Sequence, residues 1–290
     1  MKETALLLGE TAGLPLSFFQ KEKDVFLYKM KVSFPEAPRW KEFEKKEKKN
    51  LNEFYSLMEK EKVFPTTSQP SLNEFLKHFK KLLKFYKNII CLTITSKHSG
   101  TYQAAKNAKN FLKKEEKERI LIVDSLQAAC AEGLIGEKIL ELIKKGKSLL
   151  EIQKIIKDFI PKVQLLIFLK DIKWLAATGR LSGVKLKIAK FLLKRKYHPL
   201  FGIKNGKIKI EGIAKVKDDF AKSLFLELKK RVKKKIRFAI NHANNLKEAK
   251  RLKILVENNL PSSFAFLAEL PLLLGVHAGS GAVGIGFYEK

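Results

Sequence analysis

Short apolar runs alternate with longer amphipathic segments along most of the chain. The apolar runs are typical of buried strands, and the segments between them repeat apolar residues at helical spacing. Strands are predicted at 4–9, 24–34, 88–95, 118–125 and 163–170. Regular alternation of such strands with helices predicts a parallel sheet joined by crossover helices.

Two helical segments between the second and third predicted strands differ in character. Residues 39–62 are highly charged, with aromatic residues at roughly helical spacing, and indicate a surface helix that is interrupted near Asn50. The next segment, "PSLNEFLKHFKKLLKFYK", begins with Ser71 as a helix N-cap and places Glu74 where a capping box requires it. Its helix is therefore predicted to begin at Ser71.

The pattern changes after Pro161. A hairpin with Asn205 and Gly206 at its turn is followed by helices at 217–234 and 245–258 and by strands at 235–243 and 262–268. The chain then ends in a glycine-rich segment and a last strand. A hairpin combined with strand–helix–strand units predicts an α/β domain with a mixed sheet, so the chain divides into domains at 1–160 and 161–290.

The charge of the chain is its most unusual bulk property. Its 290 residues include 59 Lys and Arg against 30 Asp and Glu, for a net charge of +29. Only 7 of the 59 are Arg, and the lysines are spread over nearly every helix. This composition fits a solvated lysine-rich surface, and it also fits attraction to an anionic partner, either a nucleic acid or a membrane surface.

Cysteine and hydropathy patterns point to a cytoplasmic protein. Cys91 and Cys130 both lie in apolar runs without metal-ligand spacing, which predicts buried free thiols in a reducing compartment. The first residues do not have the pattern of a signal peptide, and no apolar stretch approaches the length of a membrane span. We therefore expect a cytoplasmic location and no metal.

Two hydroxyl-rich segments, "TTSQPS" at 66–71 and "TSKHSGTYQAA" at 95–105, each precede a predicted helix. Free N–H groups at a helix start favour an anion, and ligands of open α/β sheets lie at the carboxyl ends of the strands. Ser99 or Thr101 can equally serve as a helix cap. Thr67 is not required as a cap because Ser71 has that role, so Thr67 is freer to face a ligand.

Two further positions are candidates for anion contact. Arg180 stands alone in the turn "ATGRLSG", where it can bind a carboxylate or phosphate or can simply be a surface residue. His277 lies in "GVHAGSGAVGIG", where it can act as an acid–base group, an anion donor or a structural residue. The segment lacks the Gly-Lys-Ser/Thr of a nucleotide-binding loop. No catalytic triad or paired-carboxylate motif is present.

Six segments together resemble the DegV family: "FPTTSQPSLNEFLKHF", "TSKHSGTYQAAKNA", "VDSLQAACAEGLIG", "LKDIKWLAATGRLSG", "HPLFGIKNGKI" and "GVHAGSGAVGIGFYE". They occur in the family's order and cover nearly the whole chain. The resemblance implies a two-domain α/β protein, with a Rossmann-like parallel-sheet domain first and a mixed-sheet domain second. It also implies a long-chain fatty acid bound between the domains.

The resemblance implies roles for individual residues. Thr67 and Ser99 would hold the fatty acid carboxylate, with Arg180, His277, Ser68 and Gly100 around the head group. The chain departs from the family pattern at four positions: Gly9 and Glu10 replace Asp-Ser, Lys215 stands where an Arg is usual, and Ser280 replaces Pro.

The expected function is that of a lipid-binding protein rather than an enzyme. By the resemblance, the chain would be the non-catalytic, acyl-carrying subunit that presents its fatty acid to an ATP-dependent fatty acid kinase for phospholipid synthesis. No cofactor is expected besides the bound fatty acid, and contact with a membrane would be transient. Small residues at the start of the helix at 126–146 would either make room for the acyl tail or allow close helix packing. The alternative function is a basic nucleic-acid-binding regulator, although no specific nucleic acid is expected.

Overall fold

The computed structural model describes residues 2–47, 49–61, 63–215 and 219–290. The strands of these residues are β1 (Lys2–Gly9), β2 (Val25–Tyr28), β3 (Lys31–Ser33), β4 (Thr66–Ser68), β5 (Tyr86–Thr93), β6 (Ile120–Asp124), β7 (Gln164–Phe168), β8 (Tyr197–Lys204), β9 (Lys207–Lys215), β10 (Ile236–His242), β11 (Ser262–Glu269) and β12 (Val283–Glu289). The α-helices are α1 (Leu16–Lys21), α2 (Pro38–Lys45), α3 (Leu51–Lys60), α4 (Leu72–Leu83), α5 (Thr101–Asn110), α6 (Lys114–Glu118), α7 (Ala129–Lys144), α8 (Leu149–Phe159), α9 (Lys173–Ala177), α10 (Gly183–Lys194), α11 (Phe220–Lys229), α12 (Leu246–Asn259) and α13 (Leu272–Ala278).

The first sheet is parallel throughout, in the order β2-β1-β5-β6. Its strands are apolar on both faces because helices cover both. Along β1, Ala5 and Leu7 pack in a cluster with residues of α4 and α5, whereas Leu6 and Leu8 pack with residues of α7 and α8. The structure thus confirms the parallel sheet with crossover helices.

The second sheet has six strands in the order β11-β10-β12-β7-β8-β9 and is mixed, as predicted. Its central strand β7 is apolar on both faces: Leu166 and Phe168 pack with α11 and α12, and Leu165 and Ile167 face the other way. The strands of the first sheet end at Asp124 and those of the second begin at Gln164. The division of domains at residue 160 stays a prediction.

The local signals at two predicted boundaries are confirmed. Ser71 caps α4 in a complete capping box with Glu74, which satisfies backbone N–H groups that the first turn leaves free. The turn between β8 and β9 has Asn205 at φ 52° and Gly206 at φ 79°. Both lie in the left-handed region that a two-residue hairpin turn requires, and Asn and Gly adopt it at least cost.

The continuous strand predicted at 24–34 is wrong. The strand breaks after Tyr28 because the backbone N–H of Met30 donates to the carboxylate of Glu10 at 3.0 Å instead of to a neighbouring strand. Residues Lys31–Ser33 then form β3, which pairs with β4 in a separate two-stranded sheet. This small sheet carries the first hydroxyl segment.

The helix predicted at 39–62 is interrupted as expected, but it is not merely a surface element. It divides into α2 and α3, with Asn50 as the N-cap of α3. Trp40, Phe43 and Phe54 are fully buried and belong to a cluster that includes Trp174 of α9. The helix predicted to begin at 217 is observed from Phe220, and residues 216–218 lie outside the described residues.

Helix α7 lies between the two sheets. Its buried side chains cluster with Leu6 and Leu8 of β1 and also with Leu165, Ala239 and Phe266 of the second sheet. A helix that is apolar around most of its circumference is one that is covered on several sides. This helix therefore joins the two sheets into one core.

The sequence left two roles open for the small residues of α7, space for an acyl tail and close helix packing. The structure shows residues that fit each role. Ala128, immediately before α7, and Ala129, its first residue, line a cavity. Gly133 lies so close to the carbonyl oxygen of Ala12 that a Cβ there would come within 2.5 Å of it. Further along the helix, a Cβ on Gly136 would come within 3.2 Å of Leu8. Close packing therefore explains the glycines, and only the first alanines border open space.

The closest approach of α7 to the second sheet is testable at Gly286. A Cβ at this position would lie 2.7 Å from the backbone nitrogen of Ala131, which cannot move without shifting the helix. We expect Gly286→Ala to lower the free energy of unfolding by about 1–3 kcal/mol, as measured by urea denaturation. Gly284→Ala is the matched control, because its nearest contact would be an ordinary 3.5 Å to Ile167. Equal stability of the two variants would contradict this packing.

Candidate functional site

A cavity of about 1040 Å³, counting the space at its open mouth, lies against the inner face of the second sheet. Most of its lining is apolar, as in small-molecule sites generally. The sheet contributes Leu165, Ile167, Phe201, Ile203, Ile208 and Val283, and the loops and helices above it contribute Met30, Ile94, Ala128, Ala129, Leu169, Leu175, Leu270, Leu273, Leu274, Ala278 and Ala282. Eight polar side chains of the described residues also line the cavity: Thr11, Thr67, Thr95, His98, Ser99, Arg180, Asn241 and His277.

Thr67 and His277 meet at the wall of the cavity. Thr67 lies in β4, where its pairing with Val32 of β3 orients the side chain. Its Oγ1 is 3.1 Å from Nε2 of His277, which lies near the end of α13, and both residues line the cavity. The hydroxyl segment and the C-terminal glycine-rich segment, 210 residues apart, are thus joined by a hydrogen bond.

His277 is a neutral imidazole. Burial, together with the positive charge of Arg180, lowers the pKa of His277 to about 3. Its Nδ1 is buried without a hydrogen-bond partner among the described residues. At neutral pH the ring therefore brings hydrogen-bonding capacity to the cavity but no charge.

Ser99 lines the same cavity from the loop between β5 and α5. Its Oγ is 2.8 Å from Oγ1 of Thr101 and accepts the backbone N–H of Thr101 at 3.3 Å. The hydroxyl therefore helps to satisfy the start of α5 and also faces the cavity. The two interpretations of this segment, helix cap and ligand contact, are compatible at Ser99.

Arg180 is the one Lys or Arg among the described residues that line the cavity. It follows α9 in a turn, and its guanidinium donates to the carbonyl oxygen of Thr178 at 2.5 Å. Its charge lowers the pKa of both His98 and His277, so it lies within electrostatic range of both rings. Since no carboxylate lines the cavity in the described part of the chain, the site favours a single negative charge.

Two of the six predicted head-group residues do not line the cavity. Ser68 is exposed and pairs with Lys31 at the end of β4. Gly100 is exposed as well, and a Cβ there would come within 2.9 Å of the amide of Gln69. This contact places the two hydroxyl segments side by side, so both residues support the site through the backbone.

Several cavity residues were missed from the sequence. His98 and Thr95 precede Ser99 in the same segment, but only their partners reveal them: Thr95 donates to the carbonyl of Gly206 at 2.8 Å, and His98 accepts the N–H of Ile208 at 3.0 Å. Those partners are more than a hundred residues away in the chain. The hairpin turn of the second sheet is therefore hydrogen-bonded to the loop that carries Ser99.

A buried carboxyl group lies behind the cavity wall. Thr11, a lining residue, donates its hydroxyl to Oε1 of Glu132 at 3.0 Å, and Glu132 is completely buried in α7. Burial raises the pKa of Glu132 well above its usual value. The surroundings of this carboxyl group therefore disfavour a negative charge behind the cavity wall.

The departures from the family pattern have local explanations at the N-terminus. At Gly9 a Cβ would come within 2.6 Å of the ring hydroxyl of Tyr28, so the buried tyrosine excludes a side chain there. Glu10 holds the backbone of Met30, which lines the cavity. The side chain of Lys215 lies outside the described residues, and nothing in the structure explains Ser280.

The cysteines are not reactive groups. Cys91 and Cys130 are buried and free, as predicted. Burial raises the pKa of Cys91 and raises the pKa of Cys130 to about 12, so neither is a thiolate at neutral pH.

Within residues 2–47, 49–61, 63–215 and 219–290, no group of three or more His, Cys, Asp or Glu is arranged to hold a metal ion. No helix among them is long and apolar enough to cross a membrane.

The lowered pKa of His277 predicts a pH dependence of stability. The unfolded histidine takes up a proton below about pH 6.5, whereas the folded one does not, so acid favours unfolding. Between pH 6.5 and 4.5, the stability of the wild type should fall relative to that of His277→Gln by about 1.4 kcal/mol per pH unit. Other titrating groups are shared by both proteins and cancel in this difference. A difference that does not change with pH in urea denaturation would show that His277 is not held neutral.

Comparisons with known proteins agree with this architecture. The family model described as "Uncharacterised protein, DegV family" matches residues 11–290. A DegV domain-containing protein of Clostridium acetobutylicum is 30% identical over 244 residues, which cover 83% of this chain and 84% of that protein. A second such protein, from Staphylococcus aureus, is 26% identical over 248 residues, with 83% of each chain covered.

Solved structures share the fold over the whole chain. A DegV family protein of Thermus thermophilus, described by its fatty acid binding, superimposes with a TM-score of 0.84 at 21% identity and covers 99% of this chain and 100% of its own. DegV of Bacillus subtilis, described as a fatty acid binding protein, gives a TM-score of 0.79 at 22% identity with both chains fully covered. With a family match that spans nearly its entire length, this chain belongs to the DegV family.

Proposed function

We propose that the chain is a binding protein for long-chain fatty acids. The observation that carries the proposal is a mostly apolar cavity whose lining also holds the hydroxyls of Thr67 and Ser99 and the guanidinium of Arg180. The related protein of Eubacterium eligens is described as loaded with heptadecanoic acid, and it shares the fold with a TM-score of 0.80 at 18% identity. The acyl tail and the carboxylate head group of such a ligand have different energetic requirements.

The tail supplies the affinity. Burial of a chain of about 14 methylenes at ~0.8 kcal/mol each stabilises the complex by roughly 11 kcal/mol before the cost of association. The apolar lining, which runs from β7 and β8 to Met30 and Leu274, is the surface that would receive it. No covalent step is needed, so the proposed role is binding rather than catalysis.

The head group requires hydrogen bonds. A carboxylate that leaves water loses several kcal/mol unless donors replace the water. The proposed donors are the hydroxyls of Thr67 and Ser99, with Arg180 and the neutral ring of His277 beside them. Thr67 and His277 share a hydrogen bond of 3.1 Å. Because a hydroxyl has a single proton, Thr67 donates to the carboxylate when Nε2–H of His277 is the donor in that bond, and the threonine hydroxyl is then oriented before the ligand arrives.

Presentation of the acid to a fatty acid kinase is the finer part of the proposal. Phosphoryl transfer to a carboxylate needs an oxygen that is held in place but keeps its nucleophilicity. Neutral hydroxyl donors meet that need better than a full ion pair, and Arg180, a lining residue, would offset the negative charge of the phosphoryl group during transfer. The kinase would supply ATP, and this chain would supply the oriented acid.

Fatty acid binding is tested by the lipid content of the purified protein. We expect denaturing mass spectrometry to release fatty acids of about 14–18 carbons, in line with the tail burial described above. After delipidation, Thr67→Val should weaken the binding of oleate about tenfold, because a hydrogen bond to the charged carboxylate is lost. Thr66→Val is the matched control, since Thr66 is exposed and does not line the cavity. A folded protein that carries no lipid and takes up none would contradict the proposal.

Helix α10 supports the proposed transient contact with a membrane. Only Ala189 of this helix is buried, whereas Val184, Ile188 and Phe191 are 71%, 46% and 53% exposed. These three positions share one face of the helix, and Lys185, Lys187, Lys190 and Lys194 surround it. An apolar face flanked by lysines fits the surface of a bilayer with anionic lipids. The helix begins at Gly183, three residues after Arg180, which lines the cavity.

Membrane contact is tested by cosedimentation with vesicles. We expect binding to phosphatidylcholine vesicles that contain phosphatidylglycerol, and weaker binding to phosphatidylcholine alone, because the lysines attract anionic lipids. Phe191→Ser should reduce binding to the anionic vesicles about tenfold. Leu226→Ser is the control, since Leu226 is 48% exposed on α11, which packs on the opposite face of the second sheet. Equal effects of the two variants would exclude α10 as the contact.

The nucleic-acid-binding alternative rests on net charge alone. The lysines that would meet a phosphate backbone are the same ones that would meet anionic lipids. Tight DNA binding with a steep dependence on salt would support this alternative.

A further inference from the structure

The ring of His98 is a second imidazole in the lining of the cavity. His98 immediately precedes Ser99, in the loop between β5 and α5. The backbone N–H of Ile208, at the start of β9, donates a hydrogen bond to its Nε2 at 3.0 Å. Because a backbone amide is always a donor, Nε2 of His98 must be the unprotonated, accepting nitrogen.

This hydrogen bond determines the tautomer of the ring. A neutral imidazole with an accepting Nε2 carries its proton on Nδ1, which makes Nδ1–H a donor. Nδ1 of His98 has no hydrogen-bond partner among the described residues, yet it is not enclosed as Nδ1 of His277 and of His198 are. Nδ1–H is therefore an accessible donor on a residue that lines the cavity.

The surroundings keep the ring neutral. Burial lowers the pKa of His98, and three nearby cations lower it further: Lys185 of α10, Arg180 after α9 and Lys207 of β9. A protonated ring would also lose its bond with the Ile208 amide, since both nitrogens would then be donors. The hydrogen bond from Ile208 and the nearby positive charges thus both favour a neutral ring.

We propose that Nδ1–H of His98 donates a hydrogen bond to the carboxylate of the bound fatty acid, as a third neutral donor beside Thr67 and Ser99. This inference rests on the proposed function. A carboxylate has about four lone-pair sites, so a third neutral donor has a place on it. The other side of the ring is bonded to β9, so the carboxylate is connected through His98 to the hairpin of the second sheet.

Two amide variants separate this role from a purely structural one. In His98→Gln, the side-chain amide reaches the position of Nε2 and can still accept from Ile208, but the donor at the Nδ1 position is gone. In His98→Asn, the amide takes the position of Nδ1 and can still donate to the ligand, but the bond with Ile208 is lost. A ligand contact predicts that the glutamine variant binds worse, whereas a structural role predicts the reverse order.

The probe is oleate labelled with 13C at its carboxyl carbon, added to the delipidated full chain. We expect His98→Gln to weaken oleate binding about tenfold in calorimetric titrations and His98→Asn to weaken it less. In 15N NMR of the wild type, Nδ1 of His98 should carry the proton at neutral pH, and its signal should shift when oleate is added. The NMR readout holds even where a variant fails to fold.

Three results would overturn the inference: wild-type affinity in His98→Gln, weaker binding by the asparagine than by the glutamine variant, or a ring protonated on Nε2. If Thr67→Val weakens oleate binding while His98→Gln does not, only the role of His98 is lost. If the wild type binds no oleate at all, the proposed function fails and the inference fails with it.

Discussion

The position of α7 between the two sheets is the packing constraint on which the site depends. A Cβ on Gly286 of β12 would lie 2.7 Å from the backbone nitrogen of Ala131 in α7, and a Cβ on Gly133 of the same helix would lie 2.5 Å from the carbonyl oxygen of Ala12, which follows β1. Side chains at these glycines would push the sheets apart by the width of a methyl group. Since interiors are packed as densely as crystals, such a shift would be transmitted to every neighbour. The glycines thus determine how far apart the two sheets lie.

That spacing brings the polar residues of the site together. Thr67, Ser99 and His98 come from the part of the chain before β7, and Arg180, Ile208 and His277 come from the part after β7. At the cavity, hydrogen bonds between Thr67 and His277, from Thr95 to Gly206 and from Ile208 to His98 join these two parts. Each joins a loop or strand end of the first part to an element of the second. The cavity is the space that remains between elements held in this way.

The electrostatic character of the cavity depends on titratable groups whose surroundings disfavour a charge. Burial keeps His277 neutral and raises the pKa of Glu132 well above its usual value, and burial with three nearby cations lowers the pKa of His98. Arg180 is then the one fixed charge on the lining, as far as the structure describes it. One cation together with several neutral donors fits the single carboxylate of the proposed ligand, whose loss of hydration these groups would offset. The apolar remainder of the wall fits the hydrocarbon tail of that ligand.

Local patterns in the sequence determined most of the secondary structure and the class of the fold. The strand–helix alternation, the capping box at Ser71 and the Asn205–Gly206 turn are set by residues within a few positions of each other, so the sequence is enough to predict them. The sequence motifs also indicated Thr67, Ser99, Arg180 and His277. The tertiary structure alone decided that β3 leaves the first sheet for β4, that Ser68 and Gly100 lie off the cavity, and that His98 lines it. These features depend on partners as distant as 210 residues along the chain, and the spacing of neighbouring residues carries no record of such contacts.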